Sequence, residues 1–322
     1  MGWFAKVPSI KRYGREPRRA RCSARLPLLA FCLAALAFVP PRVSARQVTD
    51  ETGRRVNIPD KPQRLVSLAP SITEMVYALG LGGRLVGDTD YCDYPPEAEN
   101  KPHVGAVANP SLERIVALNP DLVLGTAEGN RRETADQLER LGIPLYGLRA
   151  DTVEETFQSI DDLGAVLGCQ AAARQLVERL RTRVQSVEQK VRGRPRPKVL
   201  FVVWTHPLIT AGHKTFIADL IRRAGGVSIT DDIQTDWPRL SLEEVLRRDP
   251  DILLFPKAEG FTPRLDEFSR LPGWKDLRAV KERRLYFVPE AIMRPCPRLV
   301  DALEEVAAIL HPDVDFEAQN KP

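Results

Sequence analysis

The sequence predicts an α/β protein built from two related lobes with mainly parallel sheets, joined by one long rigid α-helix. Three observations predict it. The stretch SLERIVALNPDLVL (residues 111–124) returns as SLEEVLRRDPDILL (residues 241–254), identical at six of fourteen positions with an offset of 130. Short apolar runs alternate with helical spacings in both halves, the grammar of parallel sheets. Between the halves, Ala173, Val177, Leu180, Val184, Val187 and Val191 recur at intervals of four and three, one stripe of a helix. Unbroken from 170 to 192, it spans about 35 Å at 1.5 Å per residue, the width of a small domain. That suits a strut between lobes, although an amphipathic helix inside one lobe carries the same stripe. The expected divisions are residues 1–45, an N-terminal lobe at 46–168, the connecting helix at 169–193 and a C-terminal lobe at 194–322.

The elements follow in order. Residues 64–69 are a short apolar run and read as a strand. Ser71 with Glu74 reads as a capping box for the helix whose buried face is Met75, Val76 and Leu79, and Gly80 can stop it in a left-handed conformation. Residues 85–87 suggest a second strand. Residues 88–103 form a long polar stretch holding Tyr91, Tyr94 and Pro95-Pro96, a loop of functional length. Ser111 caps the first copy of the repeated stretch, Asn119-Pro120 ends its helix, and residues 122–124 are its strand. A helix at 133–141 and a strand at 144–148 follow, then helices at 153–167 and 170–192. The second half repeats the pattern: a strand at 198–204, a helix at 216–224 capped by Thr215, the repeated helix at 241–248 with its strand at 252–255, a strand at 285–288 and a last helix at 298–310.

The first 45 residues read as a secretory leader. A basic stretch precedes fourteen apolar residues, Leu26 to Val39, and Val43-Ser44-Ala45 has the small residues of a cleavage site. The apolar run is short for a membrane span, and an uncut signal anchor is the other reading. Nine of the 47 basic residues and one of the 43 acidic residues lie in this segment, which leaves residues 46–322 at −4. The basic character of the chain belongs to the leader, and nucleic-acid binding loses its support. The expected product is soluble, periplasmic and monomeric.

Nucleophile elbow, phosphate loop and dinucleotide fingerprint are absent from the sequence, so no enzyme is expected. Only His206 and His213 lie near each other among four histidines, so no metal site is expected. His206 directly follows the strand ending at Trp204, where α/β sheets place ligand contacts. Tyr91, Tyr94, Trp204 and Trp237 fall at strand ends or in loops. They either pack under their own loops or line one cleft for a large apolar ligand. Arg294 stands at the matching end of the strand 285–288, placed to meet an anionic group. Glu113 and Glu243 occupy the third position of each repeated stretch. The helix dipole alone favours a carboxylate there by ~0.3–1 kcal/mol. The duplication adds a second reading, in which two equivalent acids dock onto a partner with two basic pockets. Cys92, Cys169 and Cys296 remain after the leader, enough for at most one disulfide.

RLVSLAPSITEMVYALG, DYCDYPPEA, SLERIVALNPDLVL, DWPRLSLEEVLRRDPDILL and RPCPRLVDALEEVAAILHP resemble the periplasmic vitamin B12-binding proteins of ABC importers. These belong to a helical-backbone class that also binds haem and ferric siderophores. The resemblance covers nearly all of residues 47–312. It implies two Rossmann-like lobes bridged by one rigid helix, a corrinoid ligand in the cleft, no cofactor beyond that ligand, and delivery to an ABC permease dimer. It further implies that Glu113 and Glu243 dock onto the two permease subunits, and that Tyr91, Trp237, Glu290 and Arg294 line the site; Ser71, Trp204 and His206 are expected there as well. Val107 and Thr126 stand where such proteins carry two further pocket aromatics. Cys296 stands where a small residue is usual.

Overall fold

The computed structural model describes residues 45–257 and 264–316. The expected leader lies outside them except for Ala45, which opens a strand. That strand, β1 (Ala45–Thr49), pairs antiparallel with β2 (Arg55–Pro59). Their signal is too weak to read in sequence: Val48, Val56 and Ile58 stand among polar neighbours over only five positions each.

The first lobe is a fully parallel sheet in the order β4-β3-β7-β8, formed by β3 (Leu65–Ser67), β4 (Leu85–Gly87), β7 (Leu122–Thr126) and β8 (Leu145–Leu148). A short antiparallel pair, β5 (Gly105–Ala106) and β6 (Asn109–Pro110), lies between β4 and β7. The second lobe repeats the order. β9 (Lys198–Thr205) lies between β11 (Val227–Ser228) and β12 (Ile252–Lys257), and β13 (Leu285–Pro289) completes the row, all parallel. β10 (Leu208–Thr210) adds an antiparallel edge to the far end of β9.

The repeated stretch is one unit of this architecture. Ser111 and Ser241 each accept a bond from the backbone N–H three residues on, capping α2 (Leu112–Ala117) and α7 (Leu242–Arg248). Asn119 and Asp249 end both helices at φ 46°, a left-handed position that Asn and Asp tolerate, and a proline follows each. Asp121 then accepts from the N–H of Gln63 and Arg64 at 2.8 and 3.0 Å, and Asp251 from that of Lys198 at 2.7 Å. These aspartates clamp the strand ahead of each neighbouring β-strand. Leu124 and Leu254 then enter the core.

α1 (Pro70–Ala78) starts differently from expectation. Its N-cap is Ala69, with no side-chain cap bond. Pro70 at the first helical position has no N–H to satisfy and a preset φ, so Ser71 sits inside the first turn. The Ser71–Glu74 capping box does not form. Gly80 does take the left-handed conformation, at φ 75°.

The remaining helices are α3 (Arg132–Arg140), α4 (Val153–Leu167), α5 (Gln170–Val191), α6 (Phe216–Arg223), α8 (Arg278–Lys281) and α9 (Leu299–Leu310). α5 is the expected strut, 22 residues long. Strand alternation shows why it is stiff. Leu122 and Leu124, Val199 and Phe201, Ile252 and Leu254 point to one face of their sheets. They share a single apolar core with Ala173, Leu176, Val177, Leu180, Val184, Val187 and Val191 of α5. Val123, Leu200, Val202, Leu253 and Phe255 point to the other faces, where Ile115 of α2 and Val245 of α7 cover them. One continuous core therefore runs through both lobes along the helix. Each buried Leu or Val contributes about 1.5–3 kcal/mol before entropy is charged against it. Arg183 pins α5 to Asp301 and Glu304 of α9 at 2.6 and 2.7 Å.

Candidate functional site

In open α/β sheets, ligands bind beyond the C-terminal ends of the strands. Here those ends are brought together across the two lobes. Glu74 lies on α1, just past β3, and is only 3% exposed. Arg298 grips it with two bonds, at 2.7 and 2.6 Å. Arg294, just past β13, donates to it at 3.1 Å, and the Cys296 thiol donates at 3.1 Å. Arg294 also reaches Asp93 in the loop after β4, at 2.5 and 3.2 Å, and Glu290 at 2.9 Å. Burial alone would raise the Asp93 carboxyl, but the bond and charge of Arg294 outweigh it and hold the carboxyl below its usual range. The Arg298 guanidinium stacks on the Tyr94 ring, 3.7 Å from its centre. A mixed ion cluster thus joins the lobes.

Glu128, past β7, is pushed up to about 8 by desolvation, then by Asp151 past β8 and by Asp236 of the second lobe. Its side chain keeps contact with solvent, which moderates the desolvation and leaves the two neighbouring carboxylates as the firmer cause. Arg149 is bound to Asp151 at 2.8 Å.

Tyr91, Trp204 and Trp237 are 60%, 44% and 38% exposed, so they do not pack under their loops. Trp204 lies opposite Ile209 of β10, and Ile209 opposite Arg239. Trp237 is two residues from Arg239 on the same segment, which runs beside β10 through bonds from Thr210 to Pro238 and from Gly212 to Asp236. Trp204 and Trp237 therefore lie on the two segments that flank β10. His206 is exposed, and its carbonyl accepts from the Trp204 indole at 3.0 Å. Tyr91 tops a loop whose base is stitched by Asp90 to Gly105 and by Val104 to Asp88. Tyr94 departs from the set: its face is taken by Arg298.

Two expectations change in detail. Arg294 is no free anion receptor, because three carboxylates already occupy it. Ser71 is 7% exposed and presents little surface. The three cysteines outside the leader are free, with Cys92 and Cys296 buried; the Cys92 sulfur lies 3.2 Å from both Thr73 and Thr89. Sequence reasoning missed Glu74 as the centre of the cluster, along with Asp93 and Arg298. A carboxylate flanked by Ile72, Met75 and Val76 was the available signal, since a buried acid demands a cation.

Glu113 and Glu243 occupy equivalent places. Each is exposed in the first turn of a helix on the sheet face turned away from α5. Neither has an ion pair among the described residues, whereas neighbouring Glu244 holds Arg247 and Arg248. The Glu243 backbone N–H and then the Ser241 hydroxyl hold the Glu243 carboxyl below its usual range.

A concavity of about 650 Å³ lies elsewhere. It runs along α5 beside α9 and Phe316. Another of about 610 Å³ lies over Glu74, Tyr77, Tyr94 and Arg298. Neither is lined by Tyr91, Trp204 or Trp237. No cluster of three or more metal-binding side chains occurs among the described residues.

Comparison with known proteins gives the same architecture. Residues 65–292 match the family described as periplasmic binding protein. A vitamin B12-binding protein of Yersinia pestis is 34% identical over 208 residues, covering 64% of this chain and 73% of its own. The solved vitamin B12-binding protein BtuF of Vibrio cholerae superposes with a TM-score of 0.69 at 27% identity, over 78% of this chain and 97% of its own. The haem-binding protein RhuT from Roseiflexus sp. RS-1 superposes equally well, with a TM-score of 0.70 at 28% identity over 78% and 98%.

Proposed function

The chain belongs to the periplasmic binding protein family, in the class that serves ABC importers, and from that premise we propose that it captures a corrinoid, cobalamin in the first instance, and hands it to a permease dimer. Members of this class bind and deliver solutes rather than transform them, so the chain is a binding protein and not an enzyme. The observation that supports the corrinoid reading is the identity to a vitamin B12-binding protein over nearly three-quarters of that protein's length. Three exposed aromatics at the strand ends suit a bulky, partly apolar ring. Tyr91 would cover it from the first lobe, and Trp204 and Trp237 from the second. His206, Ser71, Glu290 and Arg294 would frame it. Haem is the second reading, favoured by the equal structural likeness to a haem-binding protein.

Glu113 and Glu243 supply the docking contacts in this reading. The repeated serine, proline, aspartate and final leucine each have a structural task in both lobes, and Glu113 has none beyond the helix dipole. Uptake of labelled cyanocobalamin by cells carrying the cognate permease tests the whole sequence of events. The Glu113→Ala, Glu243→Ala double variant should bind ligand as the parent does, yet support less than a tenth of its uptake. Uptake at the parental rate would remove the docking role.

A further inference from the structure

We propose that Asp93 is a charge-selecting residue: by occupying the outer edge of the Arg294 guanidinium, it turns a neutral wall into one that rejects anionic ligand groups. The inference rests on the reading of the interlobe cleft as the ligand site. An arginine at the end of a strand, near aromatics, invites an anion. Here both terminal nitrogens of Arg294 are already engaged, Nη1 by Glu74 and Asp93 and Nη2 by Asp93 and Glu290. Its side chain is 10% exposed, whereas Asp93 is 53% and Glu290 36% exposed. What a ligand meets at this wall is the two carboxylates, with the cation behind them. Three acids, Glu74, Asp93 and Glu290, face two arginines, Arg294 and Arg298, so the wall carries net negative charge.

Glu74 cannot release Arg294, because it is buried and held by Arg298 from the other side. Asp93 is the exposed member, on the same loop as Tyr91 and two residues from it. Its charge can therefore be removed without unfolding the cluster, which takes the wall from net negative to neutral. Arg239 is exposed beside Trp237 and has no ion pair among the described residues. It offers a separate cation, so the effect of Asp93 must be read as a change in preference and not as an absolute affinity.

The test uses two ligands of one shape and different charge, cyanocobalamin and its monocarboxylic acid, in which one side-chain amide is hydrolysed. Both are titrated into the full chain and into Asp93→Asn by calorimetry at neutral pH. The parent should prefer the neutral ligand. Asp93→Asn should shift the ratio of the two dissociation constants toward the acid by threefold to tenfold, and Glu290→Gln should shift it in the same direction. Equal ratios in parent and both variants, with both ligands bound, overturn the proposal and leave the corrinoid reading standing. If neither corrinoid binds the parent, the corrinoid reading falls. Haem and its dimethyl ester then serve as the charged and neutral pair, with the same ratio deciding the role of Asp93.

Discussion

Replacing Glu74 with glutamine keeps its shape and removes its charge. Four donors converge on its carboxylate: two from Arg298, one from Arg294 and the Cys296 thiol. A glutamine offers one acceptor oxygen and turns an N–H toward a guanidinium. Removing one partner of a buried ion pair costs about 3–5 kcal/mol, because the other charge is left buried. Arg294 keeps Asp93 and Glu290, and Arg298 keeps the Tyr94 face, so the low end applies, about 3 kcal/mol. With a urea m-value near ~3 kcal/mol/M, the unfolding midpoint should fall by about 1 M. Asp93→Asn touches the same cluster at an exposed position and should cost under ~1 kcal/mol. Equilibrium urea denaturation of both variants decides the matter. A Glu74→Gln midpoint within ~0.3 M of the parent, or an Asp93→Asn loss as large, would refute the view that the cluster is anchored at Glu74.

Three further outcomes follow. The two repeated aspartates do the same task, so Asp121→Ala and Asp251→Ala should each lose about 1–2 kcal/mol in thermal or chemical unfolding; a loss at only one would break the equivalence of the lobes. A Cβ on Gly212 would lie 1.9 Å from the Thr235 carbonyl, and one on Gly164 would lie 2.3 Å from the Ala173 Cβ. Both alanine variants should be destabilised by about 1–3 kcal/mol, but only Gly212→Ala, which displaces the segment bearing Trp237, should also weaken ligand binding in a fluorescence titration. Glu51 is raised to about 7, first by burial, and Asp88 to about 6, again first by burial. A raised acid holds its proton in the folded state after the unfolded chain has released it, so the stability is present at low pH and lost as pH rises through the folded value. Stability should therefore fall between about pH 4 and pH 7, and Glu51→Gln should flatten that fall and gain roughly 1–2 kcal/mol at pH 8, as read by urea unfolding across the range.

Much of the fold was legible because its signals are local. The α5 stripe, the Ser111, Thr215 and Ser241 caps and the buried strands are written in neighbouring residues. The repeat showed the equivalence of the lobes, and the structure adds why its Asn or Asp, Pro and Asp recur. The ion cluster was not legible in that way. Glu74 and Arg298 are 224 positions apart, and nothing local joins them. Ser71 three positions before Glu74 suggests a capping pair, yet Pro70 moves the helix start two residues earlier and leaves the carboxylate facing the other lobe. Arg294 was placed at the correct strand end, but its charge could not be judged without Asp93 and Glu290 beside it.

Calorimetric titration of the full chain with cyanocobalamin, run beside haemin under the same conditions, addresses the ligand directly. Capture of a corrinoid between Tyr91, Trp204 and Trp237 predicts one site per chain with a dissociation constant of about 1 μM or tighter, ~8 kcal/mol of binding free energy, and weaker binding of the anionic haem. No heat from cyanocobalamin at concentrations where haemin saturates the protein would contradict it.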